Sequence, residues 1–185
     1  HGLDFEDMGT PMAITIGGCE FTNNGDSWSL GGGAIRCLST GNFAPSLYIT
    51  NSLFQGNESR WGGAINLPSL SSLHISGCTF VGNRSGGAGD GPGGGAVRLN
   101  GSIANAATVT GCVFVGNTAE DDLSGGALGI QLGSYSRLGI DSCVFAENTA
   151  LNSGGGAVNV STGYMSSVRI DASQFLNNSA GGGAS

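Results

Sequence analysis

Lysine is absent from this chain of 185 residues, and its six basic residues, all arginine, face 13 acids for a formal charge of -7. Nucleic acid and anionic membrane are therefore poor partners, because both are held through a positive field. No apolar run approaches the roughly 20 residues of a membrane-crossing helix, so this segment is not expected to insert into a bilayer. Histidine occurs only at His1 and His74, and the five cysteines include no C-x-x-C pair, so no metal or cofactor site is expected. Helical periodicity is sustained nowhere, and each of the 36 glycines would cost a helix interior about 1 kcal/mol. Helical, nucleic-acid-binding and metal-dependent classes recede together.

What the chain does have is a repeat. Phenylalanine is followed three residues later by asparagine at Phe21/Asn24, Phe54/Asn57, Phe80/Asn83, Phe114/Asn117, Phe145/Asn148 and Phe175/Asn178. Subtraction of positions puts successive phenylalanines 33, 26, 34, 31 and 30 residues apart. A second landmark, glycines leading into Ala34, Ala64, Ala96, Ala127, Ala157 and Ala184, keeps the same beat and, except at the last, runs into an aliphatic residue. Ahead of each phenylalanine, alternation puts pairs such as Ile14/Ile16, Leu47/Ile49, Leu73/Ile75, Leu138/Ile140 and Val168/Ile170 on one face of a strand. A period near 30 residues with three short strands per repeat predicts an all-β right-handed parallel β-helix of about six coils, stacked at about 4.8 Å in a single domain over 1–185. The phenylalanines then form an internal column, the asparagines a hydrogen-bonded ladder at a turn, and the glycines before each alanine supply unusual backbone angles at the next corner.

F-x-x-N combined with G-G-A-I/V, often with cysteine two residues before the phenylalanine, resembles the repeat of chlamydial polymorphic outer membrane proteins and of related extracellular adhesin-like β-helix proteins. The resemblance covers the whole chain. It implies display outside the cell or at its surface, adhesion to glycans or surface proteins, and in some members self-association.

Cys19, Cys78, Cys112 and Cys143 share one repeat position, which Ser52 and Ser173 fill in the other coils, so they are expected as a column of small buried groups. Cys37 stands at a core-facing place and is a candidate disulfide partner for Cys19 across the first coil. Of the N-x-S sequons, those at Asn57 and Asn83 coincide with the ladder, whereas Asn100 and Asn159 are the better glycan acceptors. Asp141 and Asp171 fall at the same outward place in adjacent coils, about 5 Å apart by strand spacing, near the carboxylate separation of a retaining glycosidase. They carry the alternative reading, a polysaccharide lyase or glycosidase, against which stands a solvated pair of acids helped by Arg137 or Arg169. Glu120, Asp121 and Asp122 lack the alternating oxygen ligands and glycine of a calcium loop. Trp28 and Trp61 lie near the Gly-Ala landmark and would offer aromatic surface.

The register at both ends has one more consequence. His1 to Phe5 fall where other repeats place Gly-Ala and the following strand, and 181–185 stop just before that same strand. A solenoid with bare end coils is expected to continue, within a longer chain or by head-to-tail stacking on further copies. The leading expectation is a noncatalytic extracellular structural or adhesive solenoid, a filament subunit or surface-fibre segment.

Overall fold

The computed structural model describes residues 2–5, 12–25, 31–37, 44–67, 69–86, 93–105, 107–120, 122–152 and 154–181, and among them there is no helix. Every strand pairing is parallel, and neighbours in each sheet come from successive coils, which makes the chain a parallel β-solenoid. Sheet 1 stacks Leu3–Phe5, Ile35–Cys37, Ile65–Leu67, Val97–Gly101, Leu128–Leu132 and Val158–Thr162. Sheet 2 stacks Ala13–Gly17, Ser46–Thr50, Ser72–Ser76, Ala107–Thr110, Arg137–Asp141 and Ser167–Asp171. Sheet 3 carries the phenylalanines, from Glu20–Thr22 to Gln174–Leu176. Beyond the expected three strands, a coil adds a fourth of two residues, forming sheet 4 from Glu58–Ser59 to Ser179–Ala180. This strand follows the ladder asparagine and is too short to show an alternation in the sequence.

Register is strict because a slip of one residue would turn the apolar set outward. Sheet 2 pairs Leu47 with Leu73 and Ile49 with Ile75, and then Leu138 with Val168 and Ile140 with Ile170. Sheet 3 pairs Phe54, Phe80, Phe114 and Phe145 in one row. Their rings are parallel within 10°, and all six phenylalanines of the column stand 4.7–4.9 Å apart. That spacing is the strand spacing, so the backbone ladder sets the ring stack. Burying each ring contributes roughly 2 kcal/mol.

The asparagine ladder satisfies both ends of each amide. Nδ2 of Asn83 donates to Phe54 O of the preceding coil at 2.9 Å and to Asn117 Oδ1 of the next at 2.9 Å, while its backbone N–H donates to the same Oδ1 at 2.9 Å. Asn57, Asn117 and Asn148 repeat the pattern. Asn24 donates to Asn57 Oδ1, and Asn178 donates to Phe145 O. Two donors and two accepted bonds per buried amide leave little reason for any other residue at this turn.

Most of the glycines before the alanines act differently from expectation. Gly62, Gly63, Gly94, Gly95, Gly125 and Gly126 are not in the left-handed region; each is needed because a Cβ would lie only 1.8–2.1 Å from a backbone carbonyl oxygen, as at Gly95 against Gly126 O. Of the glycines leading into the alanines, Gly31 and Gly154 do take positive φ, 150° and 140°, and left-handed angles also line two further corners. One runs through Gly18, Asn51, Gly77, Gly111, Ser142 and Ala172, the other through Asn23, Gly56, Gly82, Gly116, Glu147 and Asn177.

Candidate functional site

Inward places repeat from coil to coil and outward places do not, so any site lies on an outer face. The middle outward row of sheet 2 runs Thr15, Tyr48, His74, Thr108, Gly139 and Arg169. Tyr48 and His74 stack at 5.0 Å and 9°, and Nδ1 of His74 lies 2.9 Å from Thr108 Oγ1. Beside this row, Asp141 and Asp171 are strand partners, as the sequence placed them. Asp141 accepts from Ser142 Oγ at 2.9 Å, and Asp171 pairs with Arg169. Both acids thus have side-chain partners at the surface.

Arg137, Gly139, Ser167 and Arg169, with Asn105 and Ala107, line an open groove of about 400 Å³. Leading into the same two strands are turns that carry Tyr135 and Tyr164, whose rings meet edge to face at 5.8 Å. Tyr135, Tyr164 and Met165 are each about 70% exposed, and Tyr135 and Met165 hold left-handed backbones with φ of 61° and 53°. Exposed aromatics on constrained turns were missed in the sequence because the turns carry no F-x-x-N or Gly-Ala landmark.

Elsewhere the expected residues are committed to structure. The column of Ser52, Cys78, Cys112, Cys143 and Ser173 runs along one corner: Cys19 N–H donates to Ser52 Oγ at 3.2 Å, and Cys143 N–H donates to Ser173 Oγ at 3.1 Å. The candidate Cys19–Cys37 bridge is not formed, and all five thiols are free. Cys19 is exposed at the corner with its Sγ toward Gly17 O, whereas Cys37 is buried inside sheet 1, where burial pushes its pKa up to about 11 with Asp4 adding to the effect. Donation of the Cys112 thiol proton toward Cys143 and Cys78, aided by burial, raises the pKa of Cys112, and the hydrogen bond that Cys143 accepts from Cys112 lowers that of Cys143 to about 7.

Asn57 and Asn83 are fully buried with their amides in the ladder, which rules out their sequons as acceptors. Asn100 closes a sheet 1 strand half-buried, and Asn159 is half-buried with its amide donating to Leu123 O. Trp61 is packed by guanidiniums, with Arg98 4.9 Å and Arg60 5.8 Å from the ring centre. Arg84 bridges Glu58 and Glu120. His1, Trp28, Asp121 and Ala184 lie outside the described residues. Among the described residues no three His, Cys, Asp or Glu side chains converge as a metal site, and no helix is long and apolar enough to cross a membrane.

A parallel β-solenoid with a ladder-filled interior and a shallow groove on an outer face is what these observations define. No family model matches the chain, and searches of curated proteins and of solved structures found no significant match.

Proposed function

We propose that this chain is a noncatalytic extracellular or cell-surface β-solenoid with a structural and adhesive role, built to continue coil upon coil in a longer chain or on further copies of itself. The observation that carries the reading is the regularity of the columns. Phe54, Phe80, Phe114 and Phe145 are fully buried between neighbours, and the same ring pairing recurs at each of the five steps of the column. Coils that meet by one repeated contact suit a structural stack, and a matching coil adds by that same pairing. The N-x-S sequons at Asn100 and Asn159 suit a secreted glycoprotein.

The competing reading is a carbohydrate-active enzyme using Asp141 and Asp171. The two acids face outward as neighbours, yet Asp171 is tied to Arg169 and no further acid or base of the described residues joins them. Negative-stain electron microscopy of natively isolated material tests the proposal. Fibres with an axial rise of roughly 29 Å, six coils at about 4.8 Å, are expected for stacked copies. Discrete capped particles that cleave polysaccharide would contradict it.

A further inference from the structure

The six arginines are not equivalent. Arg36 pairs with Asp4, Arg84 with two glutamates, Arg169 with Asp171, and Arg60 and Arg98 pack on Trp61. Arg137 has no carboxylate or aromatic partner among the described residues, and it lines the groove of sheet 2 together with Arg169, Ser167 and Asn105. Arg137 is thus the cation of this face that no carboxylate of the described residues engages, next to an Arg169 that shares its charge with Asp171. The groove exists because Gly139 leaves a gap in the outward row between Thr108 and Arg169. A Cβ there would meet nothing nearer than 4.0 Å, so the backbone tolerates a side chain and the gap is not a folding requirement.

A second, independent feature lies at the adjoining corner. All three tyrosines of the chain are solvent-facing, and Tyr135 and Tyr164 are the most exposed, held together by the 2.9 Å bond from Tyr135 N–H to Tyr164 O. A non-glycine residue in the left-handed region costs about 1–2 kcal/mol, and here the cost is spent on placing Tyr135 at the surface. Planar guanidiniums hold carboxylate or sulfate oxygens in bidentate fashion, tyrosine offers an apolar face with a polar tip, and Ser167 and Asn105 are suited to hydroxyls.

We propose that the face of sheet 2 at Gly139 is a binding site for an anionic saccharide, whose carboxylate or sulfate group lies between Arg137 and Arg169 and whose ring packs toward the Tyr135/Tyr164 corner. It rests on the reading of the chain as a displayed adhesive solenoid and names the ligand class of that adhesion. An acidic peptide is less suited, because it gives the exposed tyrosine corner no sugar face to cover.

The test is calorimetric titration of the full chain with trigalacturonate, with a 4-sulfated chondroitin disaccharide, with neutral galactotriose and with triglutamate. Binding of either anionic sugar is expected, and which one binds identifies carboxylate or sulfate as the recognised group. Arg137→Ala should weaken it at least tenfold. Gly139→Gln, which fills the gap, should do the same with an unchanged circular-dichroism spectrum, and Tyr164→Ala should weaken it about threefold. The site is overturned if neither anionic sugar binds, if galactotriose or triglutamate binds as tightly, or if Arg137→Ala and Gly139→Gln bind like the parent. Absence of binding by protein that forms the expected fibres overturns the site alone. Cleavage of a bound sugar overturns the noncatalytic reading and leaves the groove in place.

Discussion

The two faces of a single strand behave as if under different rules. In sheet 2 the inward pairs Leu47/Ile49, Leu73/Ile75 and Leu138/Ile140 are interchangeable aliphatics, while the outward neighbours change from tyrosine to histidine, threonine, glycine and arginine. Stacking explains the difference. An inward residue is touched above and below by its own counterparts, so shape and hydrogen bonding must match at every coil. An outward residue meets water and is free to vary. Stability therefore belongs to the columns, and the outer rows are left free to vary.

The largest effect should come from breaking a column at its middle. Phe114→Ala removes a fully buried ring stacked at 4.7 and 4.9 Å on its neighbours and should cost about 3–5 kcal/mol in equilibrium unfolding. A smaller, pH-dependent effect belongs to Cys37. Its folded pKa of about 11 lies above the ordinary thiol value of 9.0, so the thiol supports the fold fully below pH 9 and that contribution is lost as pH rises through 11. The stability difference between the parent and Cys37→Ala should change by up to about 2.7 kcal/mol across that window, two pH units at 1.36 kcal/mol each. The corners should respond in the opposite direction. Ala172 adopts φ 44° where other coils place Gly18, Gly77 and Gly111, so Ala172→Gly should raise stability by about 1 kcal/mol, read as a higher denaturation midpoint. Least affected should be Arg84→Ala. Its ion pairs with Glu58 and Glu120 are half in solvent, and the change in midpoint should correspond to less than about 1 kcal/mol and shrink further in salt.

The columns were legible in the sequence because each repeats one chemistry at one spacing. The F-x-x-N pairs located the ring stack and the amide ladder, and the alternating aliphatics located sheet 2 with its register. The role of the Gly-Gly before each alanine was not legible, since a glycine required by a carbonyl 2.0 Å from its absent Cβ looks the same in sequence as one required by its backbone angle. Ser142, Glu147 and Ala172 held left-handed corners that neighbouring coils assign to glycine, and a residue type that hides the constraint hides the corner. The groove was only half visible. Arg137, Arg169, Asp141 and Asp171 were noticed as charges, but the gap at Gly139 and the exposed tyrosine corner depend on which outward residues become neighbours across coils. The candidate Cys19–Cys37 pairing did not form because Cys19, expected in a buried column, is exposed at a corner while Cys37 is buried inside sheet 1.

The most direct test of the division between columns and outer rows is a comparison of denaturation midpoints for Asn117→Ala and Tyr48→Ala. Asn117→Ala leaves the Asn83 donors and Phe80 O without partners in a fully buried site, and each orphaned group costs about 1–3 kcal/mol. Tyr48 stacks only on His74 at the surface. The account predicts a drop of at least 3 kcal/mol for the first and less than about 1 kcal/mol for the second. Equal losses, or a ladder variant as stable as the parent, would contradict it.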